Sequence, residues 1–106
     1  MLKSGRNYTE VYDSFRWEIP DFYNIGVDIC DKWAEGAKRL ALIYVGPDEK
    51  EQRFSFQDLK SLSNKLANAL RANGTEEGDR VGILLPQCPE TLISHIAVYK
   101  LGPAPP

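Results

Sequence analysis

Two side chains of this sequence have the chemistry of a catalytic group, and neither has a convincing partner. His95 is the single histidine and falls within a predicted helix, and no serine or cysteine nucleophile can be assigned to it. Cys88 lies near the start of the same helix, where the backbone can lower the pKa of a thiol. We interpret His95 as a hydrogen-bonded structural histidine and Cys88 as an unreactive thiol. The residues therefore predict no catalytic side chain.

Signatures of cofactor and metal binding are missing from the sequence. Gly74, Gly78 and Gly82 are regularly spaced, but they precede or occupy a predicted strand, whereas phosphate-binding glycines lie between a strand and a helix. The pattern GxxxxGK[ST] does not occur. Cys30 and Cys88 form no CxxC pair, which argues against a zinc ribbon or a redox dithiol. The sequence thus predicts no cofactor-binding residue and no metal-binding residue.

Composition excludes several classes of protein. The length of 106 residues corresponds to one small domain or to part of a larger one. A net charge of −2 argues against a nucleic-acid partner, because phosphate backbones attract basic surfaces. No apolar run is long enough to span a bilayer, and the first residues lack the pattern of a secretory signal. We expect a cytoplasmic protein.

The first third of the chain predicts an arm and a helix. Residues 1–20 are polar with scattered aromatics and show neither a helical nor a strand period, which predicts an extended N-terminal arm whose aromatics pack against the body of the protein. Asn24 is a good N-cap, and apolar side chains recur every four residues after it. This spacing predicts a helix from Ile25 to Ala37.

A β-hairpin and a long helix are predicted next. Residues 40–45 form a short apolar run that ends in turn residues, and residues 53–56 alternate polar with apolar. Ser55 and Asp58 have the spacing of a capping box, and a four-leucine stripe follows them. Gly74 is placed to end this helix in the left-handed conformation.

The last third predicts a buried strand and an apolar helix. Residues 80–85 are nearly all apolar past Arg80, which is typical of a strand covered on both faces. Pro89 suits the first position of a helix that continues to Leu101. The order helix, β-hairpin, helix, buried strand, helix predicts an α/β fold with an incomplete sheet, because the neighbours of the strand must come from elsewhere. We expect a fragment of a larger domain, with residues 103–106 as a tail of different character.

Four strings of the sequence, in order, resemble one family. They are FYNIGVDICDKWA at 22–34, RFSFQDL at 53–59, GDRVGILLP at 78–86 and PETLISHIAVYKLG at 89–102. Their order and spacing are similar to the start of the adenylate-forming, AMP-binding acyl-CoA synthetases. The first string resembles the branch that contains medium-chain and acetyl-type enzymes. The resemblance implies that residues 21–102 begin the AMP-binding N-terminal domain of that fold.

The same resemblance implies an activity for the full-length parent. Such an enzyme uses ATP and Mg to activate a carboxylic acid as acyl-AMP, and it then transfers the acyl group to coenzyme A. The phosphate loop, the ribose-binding aspartate and the lid lysine of the family have no match in this sequence. No site residue can be carried over, and we expect the isolated chain to be inactive.

A second hypothesis comes from a different class of protein. The chain would be a stand-alone interaction module derived from that family, and it would form a homodimer through the apolar helix at 89–101. A shared interface would cover apolar surface that the missing strands otherwise leave exposed.

Overall fold

The computed structural model describes residues 4–102. The predicted tail at 103–106 lies outside it. Helices precede and follow one antiparallel pair of strands, which confirms the predicted mixed α/β class. In chain order the elements are α1 (Tyr8–Ser14), α2 (Ile25–Ile29), a 3₁₀ helix (Asp31–Ala34), β1 (Leu40–Val45), β2 (Glu51–Ser55), α3 (Phe56–Ala72) and α4 (Pro89–Leu101).

The predicted hairpin is present. β1 and β2 pair antiparallel, with Ile43 opposite Arg53 and Tyr44 opposite Gln52. The register shifts between Leu40 and Leu42, which marks an irregularity where the sheet meets the rest of the fold.

The start and end of α3 follow its local sequence. The Ser55 hydroxyl accepts a hydrogen bond from the Asp58 backbone N–H at 3.2 Å, and the Asp58 carboxylate accepts one from the Ser55 N–H at 2.9 Å. This reciprocal pair satisfies two N–H groups that the first helical turn leaves without partners. Gly74 follows the helix with a φ of 89°, so the predicted left-handed residue is confirmed.

The core lies where α2, α3 and α4 meet. Cys30, Leu59 and Ile96 form its centre, and Ala97 is also buried. Gly26 allows α2 to approach α4 closely, because a Cβ built on it would lie 2.6 Å from the Lys100 Cγ. The helix predicted at 89–101 is confirmed, with Pro89 in its first turn.

The predicted single helix from Ile25 to Ala37 is wrong in its length. α2 ends at Ile29, and the chain continues as the 3₁₀ helix. Cys30 leaves the helical conformation, with φ −130° and ψ −62°, and its side chain is fully buried in the core. Burial of this side chain overrides the local preference for a continuous helix.

The buried strand predicted at 80–85 is wrong as well. These residues are not assigned to a strand, and Leu84 is 99% exposed. A strand requires a neighbour that accepts and donates backbone hydrogen bonds, and the sheet of residues 4–102 contains β1 and β2 alone. The apolar side chains of this segment could be buried against neighbouring strands. The described residues supply no such strands.

The arm predicted at 1–20 also differs from the structure. Part of it is helical, since Asn7 caps α1 by accepting a hydrogen bond from the Glu10 N–H at 3.0 Å. Its aromatic side chains do not pack against the body: Tyr8 is 79% exposed and Trp17 is 80% exposed. The radius of gyration is 17.0 Å, larger than the roughly 13 Å expected for a compact chain of this length.

Candidate functional site

Cys88 occupies the N-cap position of α4, as its place in the sequence predicted. Its Sγ lies 3.5 Å from the Thr91 Oγ1, and the Thr91 hydroxyl donates to the Pro86 carbonyl at 2.7 Å. Because a hydroxyl has one proton to donate, the Cys88 S–H must be the donor to Thr91. This pair of contacts ties the N-cap residue to the first turn of α4.

His95 lies on the exposed side of α4 and not in the core, where the sequence had predicted a hydrogen-bonded structural histidine. Its ring is tilted against the ring of Tyr99, with centroids 5.9 Å apart. The helical period explains the difference, because Ile96 and Ala97 turn toward the core and leave His95 on the opposite side.

Cys88 and His95 nevertheless line the same cleft. It has a volume of about 800 Å³ and lies between β1 and the first turns of α4. Apolar side chains such as Leu42 and Leu92 form much of its wall. Among the described residues that line it, none is an aspartate or glutamate that could orient the imidazole as a general base. The cleft has the lining of a packing surface.

A buried polar cluster was not predicted from the sequence. The Lys100 Nζ lies 2.6 Å from the Asp31 Oδ1, 2.9 Å from the Ser63 Oγ and 2.8 Å from the Asn64 Oδ1. The side chain of Lys100 is 9% exposed and that of Asp31 is 19% exposed. An ammonium group has three N–H donors, and three acceptors of this chain surround it. The cluster therefore ties α4 to α3 and to the 3₁₀ helix.

The thiol of Cys30 lies beside this cluster. Burial raises the pKa of the Cys30 thiol, and the positive charge of Lys100 opposes that effect in part. The Sγ lies 3.9 Å from the Phe56 carbonyl oxygen, so the thiol has an acceptor within the core. Cys30 is thus a small, fully buried residue of the core.

The three glycines that were considered for phosphate binding lie apart from any strand-to-helix turn. Gly74 and Gly78 have positive φ values of 89° and 90° in the loop that follows α3. Gly82 lies in the unpaired segment beyond that loop. Within residues 4–102, no group of three histidine, cysteine, aspartate or glutamate side chains could hold a metal ion. No helix of this range is long and apolar enough to cross a membrane.

Known proteins share both the sequence and the fold of this chain. Residues 30–105 match the family described as AMP-binding enzyme. The mitochondrial acyl-coenzyme A synthetase ACSM3 of Rattus norvegicus is 38% identical over 103 residues, which cover 91% of this chain and 18% of the relative. The acetyl-coenzyme A synthetase of Methanothrix soehngenii is 35% identical over 104 residues, which cover 90% of this chain and 16% of the relative.

A solved structure agrees with these relatives. The crystal structure of the Brucella canis acyl-CoA synthetase matches with a TM-score of 0.72 and 29% identity, over 76% of this chain and 15% of that protein. The chain thus spans less than a fifth of the length of the relatives it matches. The sequence match over most of its length shows that the chain belongs to the AMP-binding enzyme family.

Proposed function

We propose that this chain forms the beginning of the AMP-binding domain of an ATP-dependent acyl-CoA synthetase. The observation that carries the proposal is the agreement of sequence and fold, since relatives at 38% and 35% identity and a structural neighbour are all named acyl- or acetyl-CoA synthetases. The full-length parent would activate a carboxylic acid as acyl-AMP and transfer the acyl group to coenzyme A.

The chemistry of this reaction explains why the chain alone is expected to be inactive. A carboxylate and a phosphate are both negative, so an enzyme that joins them needs cations and aligned N–H donors at the meeting point. Lys100 is a buried cation of the described residues, but Asp31, Ser63 and Asn64 already surround its ammonium group. ATP, Mg and coenzyme A would therefore be bound in the parent by residues outside this segment.

A chimaera tests the proposal. This chain replaces the 103 matched residues of the rat ACSM3 relative, and exchange of pyrophosphate into ATP is measured with a panel of carboxylic acids. We expect exchange that depends on the added acid, and we expect none from the 106-residue chain alone. A folded chimaera without exchange, or an isolated chain with acid-dependent exchange, would contradict the proposal.

The remaining predictions about the parent stay proposals. A cytoplasmic location is one of them, and the name of the ACSM3 relative includes the word mitochondrial, so fractionation of the source cells should compare both compartments. A homodimer through α4 is favoured by no specific contact, because Ile96 and Ala97 of this helix are already buried within the chain.

A further inference from the structure

We propose that residues 8–22, here called the aromatic arm, dock on an apolar surface with a basic rim that belongs to the rest of the synthetase. This inference rests on the proposed function and extends it to a contact that the described residues do not make. The arm comprises α1 and the segment that leads to α2.

The exposure of the arm is the first observation. Five of its aromatic or aliphatic side chains are more than two-thirds exposed, namely Tyr8, Tyr12, Trp17, Ile19 and Phe22. Single exposed apolar residues are common on protein surfaces, but a contiguous series of this kind marks an interaction surface. The few residues that carry most of the binding energy at interfaces are enriched in tryptophan and tyrosine.

The side chains of the arm are already arranged in pairs. The rings of Tyr8 and Tyr12 are stacked with centroids 5.7 Å apart, and those of Phe15 and Trp17 meet edge to face at 5.0 Å. Asn7 fixes the start of α1, so the tyrosine pair lies on one side of a capped helix. Ordering of the side chains before binding lowers the entropy cost of association.

Charge indicates the chemistry of the partner surface. The arm contains four carboxylates and one guanidinium, and Arg16 donates to the Asp13 and Phe15 carbonyls at 2.9 and 2.7 Å. Within residues 4–102, no ion pair involves Asp13, Glu18 or Asp21. An acidic segment is repelled by the anionic surface of a membrane, whereas a protein surface with a basic rim complements it.

The partner surface would lie in the part of the synthetase outside this chain. The match to the AMP-binding family begins at residue 30, after the arm. The match to rat ACSM3 covers 91% of the chain, which leaves about ten residues unmatched, so it includes much of the arm. The arm is therefore shared with an acyl-CoA synthetase but lies outside the segment matched to the broad family. More than four-fifths of that relative lies outside the match and can supply the surface.

Trypsin provides the test, because Arg16 lies within the arm. The rate of cleavage after Arg16 is compared between the isolated chain and the chimaera with rat ACSM3, and cleavage after the exposed Arg53 serves as the internal reference. We expect cleavage after Arg16 to be at least about tenfold slower in the chimaera. Trp17→Ser combined with Phe22→Ser should abolish this protection, whereas Leu40→Ser, at an exposed apolar residue outside the arm, should preserve it.

Charge reversal tests the basic rim. Glu18→Lys combined with Asp21→Lys should weaken the protection in the chimaera, and the matched pair Glu35→Lys with Glu49→Lys should not. Equal cleavage after Arg16 in the isolated chain and in an active chimaera would overturn the docking proposal and leave the proposed function intact. Protection without pyrophosphate exchange would support docking and contradict the proposed function. An insoluble chimaera would count against both.

Discussion

The Lys100 Nζ lies 2.6 Å from the Asp31 Oδ1, although the two residues belong to the last and first thirds of the chain. This ion pair joins the last turn of α4 to the 3₁₀ helix, and both side chains are largely buried. Asp31 Oδ1 receives no further hydrogen bond within residues 4–102. The Lys100 ammonium group is therefore the main group that offsets the cost of burying this oxygen. Removal of either partner leaves a charge in a position that water barely reaches.

Replacement of Lys100 therefore tests the packing of α4. Lys100→Met should lower the free energy of unfolding by about 3 kcal/mol, because it leaves the Asp31 carboxylate buried without a partner. The measurement is urea denaturation followed by circular dichroism. The double variant Lys100→Met with Asp31→Leu should recover much of this loss. Additive effects of the two replacements would contradict the account of the pair.

The approach of α2 to α4 depends on the absence of a side chain at Gly26. A Cβ at this position would lie 2.6 Å from the Lys100 Cγ and 3.1 Å from the Ile96 carbonyl oxygen. Gly26→Ala should destabilise the chain by about 1–3 kcal/mol, since the helices must separate. Gly82→Ala is the matched control, because no other described residue lies within 4 Å of its Cβ and Gly82 is not among the glycines with positive φ. Equal urea midpoints for the two variants would show that α2 and α4 are not in contact.

The capping box of α3 makes stability depend on pH. The Ser55 hydroxyl and then the Ser55 backbone N–H hold the pKa of the Asp58 carboxyl below its ordinary value. Because the folded pKa is lower than the unfolded pKa, the carboxylate stabilises the folded chain above a pH of about 4, and this contribution is lost as the pH falls through the folded pKa.

Ser55→Ala removes the hydroxyl that contributes most to lowering the pKa of Asp58, and it also removes the N-cap of α3. It should cost about 1 kcal/mol near neutral pH. Thermal unfolding at pH 7 and at pH 3 should show a smaller difference between the variant and the wild type at the lower pH. Ser61→Ala, on the exposed side of α3, is the control and should leave the pH dependence unchanged. The account fails if Ser55→Ala costs the same at both values.

The two cysteines should differ in their reactivity with a thiol reagent. Cys30 is fully buried and burial raises its pKa, whereas Cys88 is half-buried at the start of α4. Titration of the folded chain should give one reacting thiol, and Cys88→Ser should remove that reaction. Rapid reaction of both thiols would mean that the core around Cys30 is not formed.

Local signals were the part of the fold that the sequence could predict. The hairpin, the capping box of α3 and the proline at the start of α4 each depend on residues within a few positions of one another. The cap of α1 by Asn7 is also local. The spacing of Asn7 and Glu10, three residues apart, is that of a capping box and could have predicted it.

Contacts between residues far apart in the sequence could not be predicted from local patterns. Nothing near Asp31 or Lys100 indicates that they meet, because the contact depends on how α4 packs on α2. The strand predicted at 80–85 was wrong for a different reason. The apolar composition favours a strand, but backbone pairing needs a neighbouring strand that residues 4–102 do not supply. A resemblance spread over four strings indicated the family where no single site residue could.

The intact protein in its native source tests the proposal that these residues belong to an acyl-CoA synthetase. Trypsin should release residues 54–60 as a peptide, which can serve to follow the protein through purification. We expect an intact mass several times 12.0 kDa, in fractions that form acyl-CoA from ATP, a carboxylic acid and coenzyme A. A species of 12.0 kDa that purifies without a larger partner and without that activity would contradict it.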